Sequence, residues 1–407
     1  MISNKNMIDP KRVTIFGQSA GAQSVTALLS SSAAKGLFSA AIPQSSPVDL
    51  PWFSEDVYYN TVTPNVARAA GCIDTNNEQN MVDCLRQQSF ELLLSNSTLQ
   101  SVAEKVSSLH IGPDFFKESP IMALVEYFMP SVGNIGNVID GQFYDLLANN
   151  KLPNKVPVMF STVKDEGFLF IDEMLPPLGN TPFFKFIAEA LALSPSDAEA
   201  MQNDSAFAVN TSDPDAVRNA VSTLLTTREW LCAQEFLLNI SSPAAGSPVF
   251  PSTYQIFLQN GHIQSTYNTI SSPSIPQICM DPTRACHTSD ILPVWGTLNY
   301  VTQYTPSYSS NEEVLYSQFL NDVWSAFIRT HTPNLDADYL RARGASYNHS
   351  LSIIDGDDGY RFREYGSPSD TNYLGFDIGS FGHKVSPYEN QCPLLTQLRY
   401  TFQRIEE

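Results

Sequence analysis

The sequence predicts one doubly wound α/β domain, in which a mostly parallel central sheet is flanked by helices and carries helical insertions. Two observations predict this fold class. Short β-branched or aromatic runs alternate with longer segments of helical periodicity, and 43% of the 407 residues are hydrophobic, enough to fill a large core. Charged residues make up 16% of the chain, far too few for a disordered protein. Since no linker or internal repeat divides the sequence, we expect residues 1–407 to form a single domain.

The first three predicted elements are a strand, a helix and a second strand. Residues 13–16 are β-branched or aromatic, residues 20–29 are rich in small and apolar side chains that suit a helix packed on a sheet, and residues 38–43 are predicted to form the next strand. A strand, a helix and a strand in this order predict two parallel neighbours in one sheet.

The rest of the chain continues the same alternation. Residues 64–130, 181–240 and 312–330 are predicted to be mostly helical, and residues 156–162 and 254–258 to be strands, with proline and glycine at the boundaries. Strands separated by helices argue against an all-helical bundle and against an all-β sandwich.

The net charge bears on the partners of the protein. With 42 acidic against 23 basic residues, the formal charge is −19, which repels phosphate backbones and anionic membrane surfaces. The composition therefore argues against nucleic acid as a partner. No stretch of 18 or more apolar residues is present, so we expect no membrane span.

The cysteines and the glycosylation motifs indicate an extracellular protein. Six cysteines without paired CxxC motifs or a His/Cys cluster predict disulfides rather than zinc ligands. Acceptor motifs of the form Asn-x-Ser/Thr are together consistent with secretion and glycosylation, and they begin at Asn96, Asn203, Asn210, Asn239 and Asn348. Residues 1–10 lack the apolar region of a signal peptide, so we expect the N-terminus to be incomplete.

The segment Gly17-Gln18-Ser19-Ala20-Gly21 carries the chemistry. It lies between a predicted strand and a predicted helix, and it fits a turn so sharp that side chains at both glycine positions would collide with backbone. Such a turn exposes the serine at a helix N-terminus, where the Ala20 N–H and the helix dipole can stabilise an oxyanion. The pattern predicts that Ser19 is a nucleophile.

A nucleophilic serine needs a histidine base and a carboxylate that orients the base, and after a turn of this type they follow in the order serine, acid, histidine. Asp165 and Glu166 come directly after the strand predicted at residues 156–162, and composition does not separate them. His349 is expected in a polar loop and His383 in a glycine-rich loop. The order excludes only His110 as the base and leaves five histidines open: His262, His287, His331, His349 and His383.

Several separate segments resemble the type-B carboxylesterases and lipases, the α/β-hydrolase family that includes the cholinesterases. Residues 9–22 look like the serine signature of that family, and residues 36–45 are similar to its next strand. Residues 164–167, Lys-Asp-Glu-Gly, match its acid motif. Residues 286–290, Cys-His-Thr-Ser-Asp, look like its histidine block, with Thr288 in place of the usual glycine.

The resemblance implies an α/β-hydrolase fold and a catalytic triad of Ser19, Glu166 and His287, with the Ala20 N–H in the oxyanion hole. It thereby selects Glu166 over Asp165, and His287 over the other histidines. It implies hydrolysis of a small-molecule or lipid ester by a carboxylesterase or lipase, through an acyl-enzyme intermediate, with no metal or organic cofactor. The oligomeric state is left open.

The resemblance also bears on the cysteines and on one further serine. It implies a disulfide between Cys72 and Cys84 and a role for Ser45 in supporting the acid. The four other cysteines could pair in three ways, among which the sequence does not choose: Cys232, Cys279, Cys286 and Cys392.

One part of the family pattern has no counterpart in the sequence. Nothing before Ile8 can be the glycine loop that supplies further oxyanion donors in the family, so we expect the N-terminal strands to be missing, the serine strand to form an exposed sheet edge, and the chain to be nearly inactive. Two alternatives to a working enzyme therefore stay open: a truncated, catalytically impaired member, and a non-catalytic binding or adhesion homologue.

Overall fold

A mostly parallel sheet organises the protein. The computed structural model describes residues 9–73, 77–95, 129–133, 138–174, 194–209, 215–242, 246, 248–260, 284–298, 310–366, 371–375, 382–383 and 388–404. Within these residues the strands are β1 (Thr14–Gln18), β2 (Ala40–Gln44), β3 (Phe53–Ser54), β4 (Ser131–Val132), β5 (Val158–Val163), β6 (Thr253–Leu258), β7 (Asn372–Leu374) and β8 (Gly382–His383).

The main sheet contains six of these strands in the order β1-β2-β5-β6-β7-β8, and β3 pairs with β4 in a separate two-stranded sheet. Each neighbouring pair from β1 to β7 is parallel, whereas β8 runs antiparallel to β7. Helices flank the sheet, so the predicted α/β-hydrolase class of fold is confirmed. In the described sheet β1 lies at one end, and Phe16 on this strand is 45% exposed.

The α-helices fill the intervals between the strands. Those of the described residues, in chain order, are α1 (Ala20–Leu29), α2 (Glu55–Val57), α3 (Thr63–Ala69), α4 (Glu78–Gln87), α5 (Phe90–Leu93), α6 (Phe143–Ala148), α7 (Phe168–Met174), α8 (Pro195–Asn203), α9 (Ala216–Leu225), α10 (Cys232–Ser241), α11 (Ile291–Trp295), α12 (Asn311–Thr330), α13 (Ala337–Arg343), α14 (Asn348–Ile354), α15 (Cys392–Leu398) and α16 (Thr401–Arg404). Among them, none combines the length and the apolar composition that a membrane span needs.

Two hydrophobic cores, one on each face of the sheet, explain why the central strands are apolar throughout. Every residue of β2, β5 and β6 is buried. Because side chains alternate across a strand, Ala41 of β2 packs into the first core with α1 and α10, while Ala40 and Ile42 pack into the second core with α12. Burial on both faces is the usual state of a parallel sheet.

One long helical segment contains a π-helical turn. Helix α9 runs into the π-helix Thr226–Leu231, which runs into α10, so the chain is helical without interruption from Ala216 to Ser241. Every residue of the π-helix is buried. Single π-turns inside α-helices are rare and frequently occur at functional sites.

Disulfides tie distant parts of the chain together. Cys72 and Cys84 form the disulfide that the resemblance implies. Cys232 at the start of α10 is bonded to Cys392 at the start of α15, across 160 residues of sequence. Cys286 is also disulfide-bonded, and Cys279 lies outside the described residues.

Candidate active site

Ser19 occupies a strained turn between β1 and α1. Its backbone φ is 58° and its ψ is −121°, a conformation that residues other than glycine rarely adopt. Two backbone hydrogen bonds hold the turn. The Ser19 N–H donates to the Gln44 carbonyl at the end of β2 at 3.0 Å, and the Gln23 N–H donates to the Ser19 carbonyl at 3.0 Å. The turn therefore fixes the serine against the neighbouring strand and at the first turn of α1.

The two glycines of the turn differ in the space around them. A Cβ at Gly17 would lie 2.3 Å from the carbonyl oxygen of Gly21, so the first glycine is sterically required. A Cβ at Gly21 would meet no atom within 4 Å in the described part of the chain, so the prediction that both positions exclude a side chain is wrong for Gly21.

We therefore expect opposite effects from alanine at these two glycines. Gly17→Ala should lower the free energy of unfolding by about 3 kcal/mol, since the backbone must shift to relieve the clash. Gly21→Ala lies in the first turn of α1 and should leave stability unchanged or raise it by up to about 1 kcal/mol. Urea denaturation measures both, and equal losses for the two variants would contradict this explanation of the turn.

Glu166 and His287 form a buried pair from separate parts of the chain. The Nδ1 atom of His287 lies 2.5 Å from Oε2 of Glu166, and neither residue is more than 2% exposed. Glu166 follows β5, and an isolated parallel bridge joins Asp165 to Cys286, which places the next residue of each segment side by side. The Val163 N–H donates to the other carboxylate oxygen, Oε1, at 2.9 Å, so both oxygens of Glu166 are held.

The second nitrogen of His287 faces the end of β1. Its Nε2 atom lies 3.4 Å from the amide nitrogen of Gln18, the residue directly before Ser19. An amide NH₂ can only donate, so Nε2 is the acceptor, and the ring proton of a neutral imidazole lies on Nδ1, where it is donated to Glu166. This tautomer leaves Nε2 able to accept a proton at the strand end that carries Ser19.

Asp165 has a separate set of partners. Its Oδ1 atom accepts from Arg284 at 3.0 Å, and its Oδ2 atom accepts from the Ala285 N–H at 2.9 Å. The Asp165 N–H in turn donates to the Ala285 carbonyl at 2.8 Å. These contacts join the loop after β5 to the segment that carries His287, so Asp165 holds the two loops together while Glu166 contacts the histidine.

Aromatic rings surround the imidazole of His287. The ring centroids of Phe170 and Trp230 lie 5.1 and 5.3 Å from its centroid. The indole N–H of Trp230 donates to the carbonyl of Ser45 at 2.9 Å. No sequence motif marks Trp230, and its helical spacing is that of an ordinary buried residue.

Ser45 does not contact the acid as the resemblance implies. Its Oγ atom is buried and has no hydrogen-bond partner within the described structure. Its backbone is the part that is engaged. Ser45 has a φ of 50°, its N–H donates to the Ser161 carbonyl at 2.7 Å, and its own carbonyl accepts from Trp230.

The remaining histidines lie away from Glu166. His331 caps the C-terminus of α12 and its Nε2 atom is 3.3 Å from Ser39 Oγ. His349 lies within α14 rather than in a polar loop, because the apolar residues that follow it pack as a helix. His383 lies on β8 rather than in a loop, stacked on Tyr360. His110 and His262 fall outside the described residues.

The residue after His287 explains why a glycine is usual there. Thr288 has a φ of 73°, in the left-handed region that glycine adopts without cost and a β-branched residue avoids. Thr288 therefore holds a backbone conformation that is strained for a β-branched residue.

Asp290 is a second buried carboxylate beside the pair. Its Oδ2 atom accepts from the side-chain amide of Gln44 at 2.9 Å. Burial raises the pKa of Asp290 to about 6, and the Glu166 carboxylate adds to the rise, while the Gln44 hydrogen bond and His287 oppose it.

The raised pKa of Asp290 predicts a pH dependence of stability. Between pH 3.8 and about 6 the folded protein holds a proton at Asp290 that the unfolded chain has released. The contribution of this group to the free energy of unfolding is thus complete below pH 3.8 and is lost as the pH rises through about 6. Relative to Asp290→Asn, the wild type should lose stability as the pH rises across this range. Denaturation of both proteins at a series of pH values measures this, and a constant difference would contradict it.

Ala20 begins α1, directly after the serine, and is exposed. The first N–H groups of a helix have no acceptor within the helix, and the helix dipole is positive there. This donor lies next to Ser19 in the chain.

Comparisons with known proteins agree over most of the chain. The model of the carboxylesterase family matches residues 8–390. Carboxylesterase 1F of Mus musculus is 25% identical over 336 residues, which cover 80% of this chain and 53% of that protein. Cholinesterase of Mus musculus is 34% identical over 119 residues, 28% of this chain and 19% of that protein. The medium-chain fatty acyl-CoA hydrolase precursor of Anas platyrhynchos is 36% identical over 135 residues, 33% of this chain and 23% of that protein.

The matches cover only part of the length of each relative. The chain spans about half the length of the curated relatives that it matches most extensively, 53% in the case of carboxylesterase 1F. The family match nevertheless takes in the turn at Ser19 and the pair of Glu166 and His287. This chain therefore belongs to the carboxylesterase family.

Proposed function

We propose that this protein hydrolyses carboxylic esters through a covalent acyl-enzyme intermediate, with Ser19 as the nucleophile, His287 as the general base and Glu166 as the orienting acid. The observation that carries the proposal is the buried hydrogen bond between His287 and Glu166, with the Nε2 atom of His287 directed to the end of β1, 3.4 Å from the amide nitrogen of Gln18. The three residues follow one another along the chain in the order serine, acid, histidine that an α/β-hydrolase triad has, and we assign them the roles of that triad. The chain's membership of the carboxylesterase family supports an ester as the substrate.

The proposed reaction has two half-reactions. In acylation, His287 Nε2 takes the proton of the Ser19 hydroxyl as its oxygen attacks the ester carbonyl, and the imidazolium then gives that proton to the departing alcohol. In deacylation, His287 takes a proton from water, which attacks the acyl-serine, and returns it to Ser19 as the carboxylic acid leaves. In both half-reactions Glu166 accepts a hydrogen bond from Nδ1–H, and its carboxylate stabilises the imidazolium.

The negative charge that develops on the carbonyl oxygen needs donors. The Ala20 N–H, at the positive end of α1, is the donor that we assign. Removal of one such donor typically lowers kcat by about 10² to 10³. Because the group is a backbone N–H, side-chain substitution does not remove it.

A trapped acyl-enzyme would test this proposal. After brief incubation with p-nitrophenyl butyrate and quenching in acid, intact-mass spectrometry should show protein carrying one butyryl group. The same treatment of His287→Gln, in which the base is lost and the buried volume is roughly kept, should give none. Hydrolysis without an adduct, or at an equal rate in His287→Gln, would refute the proposal. Esterase and lipase activity would then be separated by the dependence of kcat/KM on acyl chain length.

We also propose that the protein matures in the secretory pathway. Disulfides such as Cys232–Cys392 form and persist in oxidising compartments. Two acceptor asparagines of the described residues, Asn203 and Asn348, are exposed and can carry glycans. Treatment of the protein from its natural source with an N-glycosidase should lower its mass, and an unchanged mass would count against this route.

A further inference from the structure

We propose that Trp230, in the buried π-helical turn Thr226–Leu231, is a positioning residue for the triad. The inference rests on the function proposed above and adds a residue that acts through His287 and through the turn at Ser19. It is carried by four contacts, each involving this one helical turn.

The first two contacts are on the histidine side. Trp230 is fully buried, and its ring lies 5.3 Å from that of His287, centroid to centroid. Phe170 stacks on Trp230 at 5.7 Å with an angle of 13° between the planes, and it also contacts His287 at 5.1 Å. The imidazole is therefore packed against two aromatic rings that support each other, which restricts the tilt of the ring about its hydrogen bond to Glu166.

The third contact is on the serine side. The indole N–H donates to the carbonyl of Ser45. Ser45 has a strained backbone with a φ of 50°, and this hydrogen bond helps to hold it in that conformation. The preceding residue, Gln44, accepts the backbone hydrogen bond from Ser19 at 3.0 Å. One side chain thus contacts the ring of the base and fixes the strand end against which the nucleophile is held.

The fourth contact links the same helical turn to the acid. Thr226 Oγ1 accepts from the N–H of Gly167, the residue after Glu166, at 2.9 Å. The approach is close, since a Cβ at Gly167 would lie 2.3 Å from the Ser222 carbonyl oxygen. The helix therefore contacts the acid loop through Thr226 and the base through Trp230.

Thr226 and Trp230 are four residues apart, so both lie close to one face of the helical segment. This face meets the acid loop at Gly167 and the base at His287, which brings both contacts into a single helical turn.

The experiment compares two substitutions of Trp230 with one at a second buried tryptophan. Trp324, in α12 on the other face of the sheet, is also almost fully buried, so Trp324→Leu controls for the loss of a core indole. Trp230→Leu should lower kcat by about 10²-fold with little change in KM, because a misplaced base costs rate rather than binding. Trp230→Phe keeps a ring against His287 and should restore most of kcat. Trp324→Leu should retain kcat per folded molecule.

A second measurement does not depend on turnover. With ¹⁵N-labelled histidine, the His287 Nδ1–H that bonds to Glu166 should give a downfield proton resonance, assigned by its loss in His287→Gln. We expect Trp230→Leu to broaden or abolish it, and Trp324→Leu to preserve it.

The outcomes separate this inference from the proposed function. A Trp230→Leu protein that matches Trp324→Leu in resonance and in kcat would overturn the positioning role. A resonance that depends on Trp230 in a protein without ester turnover would support the positioning role and refute the proposed function.

Discussion

Replacement of Ser19 by alanine is expected to lower kcat for a short p-nitrophenyl ester by on the order of 10⁶-fold, the largest effect that we predict. The variant lacks the attacking oxygen, and the remaining groups of a triad act only as a unit with it. The substitution removes a single atom at a half-buried position, so the free energy of unfolding should change little. Steady-state turnover with denaturation as a check on folding measures both.

Ser24 provides the matched control. It lies on the same helix, one turn further on, where its exposed hydroxyl donates to the Ala20 carbonyl at 3.0 Å. Ser24→Ala should leave kcat near that of the wild type. If the two alanine variants lost the same activity, the loss would come from α1 and not from the nucleophile, and the assignment of Ser19 would fail.

Replacement of Glu166 by glutamine is expected to have the second-largest effect and to lower kcat by about 10⁴-fold. The amide keeps the shape of the side chain, but it cannot stabilise the imidazolium, and it can present an N–H donor that favours the wrong tautomer of His287. We expect the folded structure and KM to be little changed.

Asp165→Asn separates the two neighbouring carboxylates. This substitution weakens the ion pair between the buried Asp165 and the partly exposed Arg284 and should lower the free energy of unfolding by about 2 kcal/mol. Because Asp165 does not contact His287 in the described structure, the protein that remains folded should keep far more kcat than Glu166→Gln. A greater loss of kcat in Asp165→Asn than in Glu166→Gln would indicate that Asp165, and not Glu166, is the acid that orients His287.

The longer elements of the fold could be read from the sequence. The strands predicted at residues 156–162 and 254–258 are found at Val158–Val163 and Thr253–Leu258, because strands buried on both faces are continuous apolar runs. The helix predicted at residues 20–29 is α1. The last two strands were missed. Asn372–Leu374 and Gly382–His383 are too short and too polar at their flanks to show a period, and their pairing with the rest of the sheet determines their conformation.

The site could be read in part. The turn at Ser19 follows from Gly17 and from the strand and helix on either side of it. The choice of His287 among five histidines depended on resemblance, since a histidine in a loop has no local pattern that marks its partner. The bridge between Asp165 and Cys286 supplies the missing information, and it is a long-range pairing of single residues. The contacts of Trp230 could not be predicted from the sequence for the same reason. Helical periodicity shows that a residue is buried, and it does not show what that residue contacts or that the turn is a π-helix.

The modification of Ser19 by a fluorophosphonate is the measurement that tests the account most directly. The native protein is incubated with the probe, digested, and its peptides are mapped by mass spectrometry. We predict a single phosphonylated residue, Ser19, and no adduct when His287→Gln or the protein unfolded in denaturant is treated in the same way. An adduct on another serine, equal labelling of the unfolded chain, or no adduct on the native protein would contradict it.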